Sequence, residues 1–280
     1  MILITGTTGF LGQYIVKFAP TSSNLLTHSR SSESDVCFDL KDSFTSLLGH
    51  YPIRAIIHNA AMSQVDACEK NEQEARLINV KGTEQLLDVA AGKNAQFIYI
   101  STDQVFDGRK GNYVEEDIPA PINIYGQTKF DAEKIVSQYE NSLILRVALI
   151  YGKPLGGNNN FTNVMIQKLS SSETVSVFTD QFRSPVWVMD LVKTIWYMQQ
   201  NQLTGLFHVG GPESLSRSEM GRKLCDAMGL ERKLLREVSS DTIQTLAPRP
   251  KNCSLNSQKL YSTIHYSFTP FDIAIRKSYL

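Results

Sequence analysis

The chain has few cysteines, no net charge and no long apolar run, and each absence argues against a class of protein. Its four cysteines lie far apart and form no C-x-x-C pair, so neither a zinc site nor a disulfide framework is predicted. Lys plus Arg and Asp plus Glu each number 28, so no overall field attracts nucleic acid or an anionic membrane. No apolar run approaches the ~20 residues of a membrane span.

The N-terminal residues MILI run directly into Thr5 and Gly6, without the charged leader that a secretory signal carries. The expected compartment is therefore the cytoplasm. Apolar residues make up 42% of the sequence and charged residues 20%, which is typical of a folded globular enzyme. No metal site is predicted, because the charge run at residues 115–117 has no second carboxylate cluster to complete a cage.

Short apolar runs rich in branched side chains alternate with amphipathic stretches. The runs at residues 1–4, 25–27, 55–58, 97–100 and 143–147 lack strict alternation, which is typical of strands covered on both faces. Residues 10–18, 75–91 and 128–139 repeat apolar positions at helical spacing. The alternation predicts an α/β protein with a doubly wound, parallel, Rossmann-like sheet.

The composition of the sequence changes after Tyr151, where residues 153–160 form a polar stretch rich in turn-forming residues. Residues 186–197 indicate a strand end and a helix, and residues 205–209 indicate a late strand that returns to the main sheet. We therefore predict a dinucleotide-binding domain at residues 1–152 plus 186–209. A smaller substrate-binding lobe is predicted at residues 153–185 and 210–280, with a helix at residues 218–228.

A glycine-rich segment at residues 6–12 (GTTGFLG), hereafter the glycine loop, follows the first predicted strand and opens a helix. In this context Gly6 permits a tight turn, Gly9 lets the backbone approach a pyrophosphate, and Gly12 lets helix and strand pack closely. The N–H groups at the helix start then face negative phosphates. The loop therefore predicts a dinucleotide site.

The second predicted strand is followed by basic and hydroxyl residues, where an NAD-preferring site usually carries a carboxylate. Arg30 can pair with a 2′-phosphate while Ser29 and its neighbours donate hydrogen bonds, which favours NADPH, with NADH as the alternative. A solvated surface arginine remains the other interpretation of Arg30. Asp39, after the probable third strand, can accept a hydrogen bond from the adenine amino group.

Tyr125 and Lys129 lie four residues apart at the start of a predicted helix, so they project from one face. A free phenol has a pKa near 10, and an adjacent ammonium lowers it towards the range useful for acid–base catalysis. Thr102, at the carboxyl end of its strand, can hold the same carbonyl oxygen. We therefore expect these three residues to be catalytic.

These motifs together resemble the extended short-chain dehydrogenase/reductase family and, within it, the dTDP-4-dehydrorhamnose reductases. The resemblance covers nearly the whole chain. It includes residues 6–12, 58–61, 101–108, 116–117, 121–129, 159–161, 180–182 and 249–252.

The resemblance implies a reductase that transfers hydride from NADPH to the C4 ketone of a nucleotide-linked deoxyhexose. Tyr125 then donates the proton, while Lys129 also binds the nicotinamide ribose. The remaining implied cofactor-binding residues are Thr8, Phe10, Leu11, Leu40, Asn59, Ala60 and Ala61. The implied substrate-binding residues are Asp103, Gln104, Val105, Asn160, Arg183 and Arg249. The expected partner is the nucleotide sugar, and a homodimer is left open.

The sequence departs from the reductase pattern at two positions. Gln104 stands where these reductases often carry a tyrosine beside the sugar, so the preferred sugar can differ. Arg183 lies in a segment that replaces a smaller, glycine-containing turn. It either faces a substrate pyrophosphate or forms a surface salt bridge.

Several residues and two other functions have competing interpretations. His58 and His208 are expected to be hydrogen-bonded core histidines, and Asp103 is either a substrate ligand or an acceptor of backbone N–H bonds. A sugar-nucleotide dehydratase or epimerase is an alternative enzyme, although Gln104 cannot serve as its base. The chain also resembles the non-catalytic, NADP-holding regulatory beta subunits of methionine adenosyltransferases. On that interpretation the aromatic tail at residues 269–280 could dock in a partner, whereas packing on its own domain is the simpler expectation.

Overall fold

Seven parallel strands form the central sheet in a computed structural model, which describes residues 1–31, 33–157 and 160–280. The strands of this sheet and of three two-stranded sheets are β1 Ile2–Thr5, β2 Leu25–Ser29, β3 Val36–Cys37, β4 Ala55–His58, β5 Gln96–Thr102, β6 Ser142–Val147, β7 Ile150–Tyr151, β8 Val175–Phe178, β9 Phe182–Arg183, β10 Val186–Trp187, β11 Gly205–Val209, β12 Leu215–Ser216 and β13 Leu235–Val238. The central order is β11-β6-β5-β4-β1-β2-β3. The predicted doubly wound parallel sheet is confirmed.

The helices lie on both faces of this sheet and in the C-terminal part of the chain. They are α1 Phe10–Lys17, α2 Thr45–Leu48, α3 Val65–Lys70, α4 Glu72–Arg76, α5 Gly82–Gly92, α6 Ile124–Val136, α7 Phe161–Ser170, α8 Val188–Gln200, α9 Arg217–Met228, α10 Gln258–Ile264 and α11 Phe271–Tyr279. The predicted late strand is β11, which pairs in parallel with β6. Helix α6 begins earlier than the apolar spacing alone predicted, because Asn123 caps it by accepting a hydrogen bond from the Gly126 N–H.

Successive side chains of the central strands point to opposite faces, so each face has its own core. Ile2 and Ile4 of β1 pack with α1 and α8 on one face. Leu3 packs with α5 and α6 on the other. All seven residues of β5 are buried, which explains why residues 97–100 form an uninterrupted apolar run.

A third apolar cluster lies outside the central sheet, between α7, α9 and α11 and the strand β8. The C-terminal helix α11 buries Phe271, Ala274 and Ile275 against it. The tail therefore packs on its own chain, in agreement with the simpler expectation. The assignment of this region to substrate binding stays a prediction.

One turn of π-helix, Leu77–Lys81, joins α4 and α5 into a continuous helical segment. Asn79 lies in this turn and is buried. Its side chain accepts a hydrogen bond from the Met62 N–H and donates to the Met62 carbonyl and to the Thr128 hydroxyl. The π turn thus connects the loop after β4 with α6.

A buried ion pair connects α6 to β5, β6 and β11. The Arg146 guanidinium donates to the Glu133 carboxylate at 2.8 Å from Nη2, and the Ser101 hydroxyl donates to the same carboxylate at 2.5 Å. His208 is buried beside Arg146 and lies 2.9 Å from the Tyr113 carbonyl.

The second core histidine, His58, lies between the hydroxyls of Thr5 and Thr83. Both His58 and His208 are therefore hydrogen-bonded core residues, as predicted.

Among the described residues, no helix is both long and apolar enough to cross a membrane.

The Glu133→Gln substitution is expected to destabilise the protein by about 3–5 kcal/mol, because it leaves the buried Arg146 guanidinium without a compensating charge. Urea unfolding of the purified protein measures the loss. The exposed Glu140→Gln is the matched control and is expected to stay within about 0.5 kcal/mol of wild type. A loss below about 1 kcal/mol for Glu133→Gln would contradict the role given to this pair.

Candidate functional site

A large cavity of about 1280 Å³ opens at the carboxyl ends of the central strands. Ligands of open α/β sheets bind at this edge, because parallel strands bring their carboxyl ends together there. The predicted residues that line it are Gly6, Thr8, Gly9, Phe10, Leu11, Ser29, Arg30, Asp39, Leu40, Asn59, Ala60, Ala61, Thr102, Asp103, Gln104, Tyr125, Lys129, Arg183 and Arg249. The fold therefore gathers most of the predicted site in one place.

The glycine loop forms a tight connection between β1 and α1. Gly6 has a φ of +70°, and the Gly9 N–H donates to its carbonyl at 3.0 Å. A Cβ at Gly12 would overlap the Gly6 carbonyl oxygen, so only glycine fits there. The N-cap residue of α1 is Gly9, which has no side chain to cap the first N–H groups of the helix, and this arrangement suits a phosphate. The loop therefore fits a dinucleotide diphosphate.

Three serine hydroxyls meet at the end of β2, and we call them the serine cluster: Ser29, Ser31 and Ser34. The Ser29 hydroxyl lies 2.9 Å from that of Ser31 and 3.0 Å from that of Ser34. Arg30 is exposed beside them at the cavity rim. A cation and several hydroxyls suit a phosphate monoester, and Ser34 is a member that the sequence analysis did not single out.

The loop after β4 is fixed against the glycine loop by Thr5. The Thr5 hydroxyl accepts from the N–H groups of Asn59 and Ala60 at 3.1 and 3.0 Å. The Asn59 amide donates to the Gly6 carbonyl at 3.3 Å. These contacts hold Ala60 and Ala61 at the cavity wall.

Thr102, Tyr125 and Lys129, hereafter the Thr–Tyr–Lys group, meet where α6 approaches the end of β5. A Cβ at Gly126 would overlap the Gln104 carbonyl oxygen, so the two backbones are in close contact. The Thr102 side chain lies beside the Tyr125 hydroxyl. The ammonium nitrogen of Lys129 is buried and lies 4.1 Å from the centre of the Tyr99 ring.

The expectation that Lys129 lowers the pKa of Tyr125 is wrong for the protein without ligand. Burial raises the pKa of the Tyr125 hydroxyl, and the neighbouring Thr102 side chain offsets this rise only in part. Burial also lowers the pKa of Lys129 to about 7, while Glu133 opposes that shift. Removal from water disfavours the charged form of each group and is the largest cause of both shifts.

Asp103 and Arg183 form a buried ion pair at the wall of the cavity. Arg183 Nε lies 3.3 Å from Asp103 Oδ2, and both side chains are about 6% exposed. Arg183 therefore does form a salt bridge, but the prediction that this bridge lies at the surface is wrong. Burial raises the pKa of Asp103, while Arg183 opposes the rise. Asp103 also accepts from the Thr102 hydroxyl at 3.3 Å, so it contacts side chains at the cavity wall.

Three predicted site residues do not line the cavity. Gly12 packs against the carbonyl of Gly6 beneath the loop. Val105 is fully buried in a small apolar cluster with Phe106. Asn160 caps α7 by accepting from the Asn163 N–H, and its amide donates to the Gly152 carbonyl.

Asn159, which the resemblance puts next to Asn160 near the nucleotide, lies outside the described residues.

The cavity also has lining residues that sequence reasoning missed. Arg217, Gln181, Val177 and Phe178 come from α9 and from the segment around β8 and β9. A signal for Arg217 was present in the sequence, since a cation in the first turn of a helix opposes the helix dipole. The others carry no local pattern, because only the tertiary fold brings them to the cavity.

The predicted substrate residue Arg249 is already paired across the cavity mouth. It donates to the Asp66 carboxylate at 2.8 Å, and Asp66 also accepts from the Ala247 N–H. These bonds tie the segment around residue 248 to the start of α3.

The sequence matches the family described as the RmlD substrate binding domain over residues 1–279. Among curated proteins, methionine adenosyltransferase 2 subunit beta from Xenopus laevis is 33% identical, over 99% of this chain and 86% of that protein. The similarity therefore includes a protein named as a subunit as well as enzymes.

Similar solved structures include a hypothetical dTDP-4-dehydrorhamnose reductase from Sulfolobus tokodaii, at 30% identity and a TM-score of 0.88, covering 97% of this chain and 98% of that one. The dTDP-4-dehydrorhamnose reductase from Bacillus anthracis, in complex with NADP, has 28% identity and a TM-score of 0.91, covering 99% and 98%. The family match runs from the glycine loop to the C-terminal helix, and the chain therefore belongs to the RmlD substrate binding domain family.

Proposed function

We propose that the protein is an NADPH-dependent reductase of the C4 ketone of a deoxyhexose linked to a nucleoside diphosphate. The observation that carries the proposal is that one cavity is lined by the glycine loop, by Ser29 and Arg30 at the end of β2, and by the Thr–Tyr–Lys group. The similarity to dTDP-4-dehydrorhamnose reductases supports the nucleotide-sugar substrate. A cavity of this size accommodates a dinucleotide and a second ligand side by side.

The geometry of the cavity supports the following assignment of cofactor-binding residues. The glycine loop and the start of α1 would hold the diphosphate, and Arg30 with the serine cluster would hold a 2′-phosphate. Asp39 and Leu40 would face the adenine. When bound, NADPH supplies the hydride for ketone reduction.

Tyr125 is the proton donor of the proposed reaction. Since burial raises the pKa of its hydroxyl, the residue is a neutral phenol at physiological pH and carries the proton that it has to deliver. The ketone oxygen gains negative charge during reduction, and a hydrogen bond from Tyr125 compensates that charge. Thr102, whose side chain lies beside the Tyr125 hydroxyl, would orient the same oxygen.

Lys129 sets how easily Tyr125 releases its proton. With a pKa of about 7 it is only partly charged near neutrality. An anionic cofactor nearby would favour the ammonium form, because an opposite charge stabilises it. The ammonium would in turn stabilise the phenolate that remains after proton transfer.

Dehydration or epimerisation is disfavoured by the residues next to Thr102. A dehydratase needs a base and an acid beside the sugar. Gln104 is not a base, and Asp103 is held in a buried ion pair with Arg183.

A non-catalytic regulatory subunit is the second candidate. Its specific support is the 33% identity to methionine adenosyltransferase 2 subunit beta along 99% of the chain. On this alternative the cavity binds NADP and the chain assembles with a methionine adenosyltransferase.

The first test is NADPH oxidation in the presence of a dTDP-4-keto-6-deoxyhexose, followed at the absorbance of reduced nicotinamide. Wild type is expected to turn over, and Tyr125→Phe to lose about 10²–10⁴-fold in kcat, because it lacks the proton donor. Tyr139→Phe is the matched control, since that hydroxyl donates to the Ala95 carbonyl and does not line the cavity.

Full activity of Tyr125→Phe would refute the proton-donor role. A wild type that binds NADPH, oxidises none of it when the sugar is added, and co-elutes with a purified methionine adenosyltransferase would support the regulatory alternative and reject the reductase.

The Arg30→Ala substitution is expected to weaken NADPH binding about 10-fold and to leave NADH binding nearly unchanged, because only NADPH carries the 2′-phosphate. Fluorescence titration of both nucleotides measures the ratio. Arg54→Ala, an exposed arginine remote from the cavity, is the control. An equal loss for both nucleotides would remove Arg30 from the 2′-phosphate site.

Lys129→Met is expected to stabilise the ligand-free protein by a few kcal/mol below about pH 7. Burial lowers the pKa of Lys129 from 10.5 to about 7, so below pH 7 the folded wild type carries the full cost of a buried charge. Between pH 7 and 10.5 the unfolded chain binds the extra proton, so wild-type stability rises with pH and the difference shrinks.

Urea unfolding of both proteins across this pH range measures the effect, with the exposed Lys134→Met as control. A difference that is constant with pH would show that Lys129 keeps an ordinary pKa in the folded protein.

A further inference from the structure

The guanidinium of Arg183 is already hydrogen-bonded to other residues of the chain. Its Nη1 donates to the Phe182 carbonyl at 2.6 Å and to the Lys251 carbonyl at 3.3 Å, and its Nη2 donates to the Pro250 carbonyl at 3.1 Å. Its Nε faces Asp103. Each of its three nitrogens thus already faces a protein oxygen. Arg183 connects β9 to the segment around residue 250 rather than offering a free edge to a ligand.

Arg217 is the second arginine at this wall. Unlike Arg183, it has a guanidinium nitrogen that no acceptor among the described residues contacts. Its guanidinium carbon lies 4.6 Å from the centre of the Phe161 ring, which holds the side chain at the cavity. Its Nη1 is inaccessible to solvent and has no hydrogen-bond partner among the described residues. A buried cationic donor without an acceptor is rare in folded proteins and calls for a ligand.

Three further features destabilise a positive charge at this position, namely the dipole of α9, burial and the charge of Arg183. Arg217 is the first residue of α9, where the helix dipole disfavours positive charge. Burial lowers its pKa to about 9, and Arg183 adds to the effect. Asp103 is the acidic residue that favours its charge, and that carboxylate is shared with Arg183. Two guanidiniums and one carboxylate leave one positive charge facing the cavity.

The position of Arg217 indicates which anion it meets. Asp103 follows Thr102 directly and accepts from its hydroxyl. Arg183 and Arg217, which both interact with Asp103, therefore lie next to the Thr–Tyr–Lys group, where the ketone of the proposed substrate would bind. The Arg217 N–H also donates to the Gln181 carbonyl, beside the β8 residues that line the remainder of that wall. In a nucleotide-linked sugar, the group between the sugar and the nucleoside is the diphosphate.

We propose that Arg217, and not Arg183, donates hydrogen bonds to the diphosphate of the nucleotide-linked substrate. The proposal rests on the proposed function for the identity of the substrate. The two arginines then have different roles, since Arg183 fixes the wall of the cavity and Arg217 binds the ligand that passes along it.

The test is calorimetric titration of the NADP⁺-loaded protein with dTDP, and separately with inorganic pyrophosphate. Arg217→Gln is expected to weaken dTDP binding about 10- to 100-fold, because a charge-assisted hydrogen bond is lost, and Arg217→Lys to recover part of that loss. NADP⁺ affinity is expected to stay unchanged. Arg222→Gln, on the same helix but paired with Glu237 at the surface, is the matched control and is expected to bind like wild type.

A melting curve separates binding from a merely structural role. Relief of the buried charge predicts that Arg217→Gln melts at or above the wild-type temperature without ligand, whereas a structural arginine would give a lower melting temperature. Wild-type dTDP affinity in Arg217→Gln would overturn the proposal. So would a loss of binding with parallel destabilisation in both Arg217→Gln and Arg217→Lys, or wild-type protein that binds neither dTDP nor pyrophosphate at millimolar concentration.

These outcomes are independent of turnover. If dTDP binding depends on Arg217 while no sugar-dependent NADPH oxidation occurs, the reductase fails and the diphosphate site stands. If oxidation occurs and Arg217→Gln keeps wild-type dTDP affinity, the diphosphate site fails and the reductase stands.

Discussion

The part of the cavity formed by the Thr–Tyr–Lys group depends on the carboxylate of Glu133, which is buried in the core. It accepts hydrogen bonds from Arg146 of β6 and Ser101 of β5, and it lies on the helix that carries Tyr125 and Lys129. A buried charge tolerates little displacement, because each lost contact leaves an unpaired ion. The register between α6 and the end of β5 is therefore set by an ion pair within the core. The same carboxylate also favours the charged form of Lys129.

Features that depend on local sequence were predictable. The glycine loop needs particular φ angles and close backbone approach, so its residues are visible in the sequence, and the strands are visible because both faces of the sheet are covered. A separation of four positions in the sequence was enough to place Tyr125 and Lys129 on one face of the helix. The predictions that concerned backbone geometry and periodicity therefore located the glycine loop and the helix face that carries Tyr125 and Lys129.

Features that depend on burial and on distant segments were not predictable in this way. The pKa of Tyr125 depends on how much water the fold removes, which the spacing of Tyr125 and Lys129 does not encode. The pair of Asp103 with Arg183 joins segments that are far apart in the sequence. Val105 illustrates the same limit, because the two residues before it, Asp103 and Gln104, line the cavity while Val105 itself packs in an apolar cluster.

The π turn at Leu77–Lys81 limits how this family member can change length over evolutionary time. Such a turn holds one more residue than an α-helical turn, so deleting one residue there would convert it to regular helix, shift Asn79 from its position and leave the relative orientation of α4 and α5 nearly unchanged. Asn79 would then leave Met62 and Thr128, and the Met62 N–H, the Met62 carbonyl and the Thr128 hydroxyl would each lose one hydrogen bond. Insertions and deletions should therefore accumulate in the surface loops of homologues while the length of this helical segment stays constant.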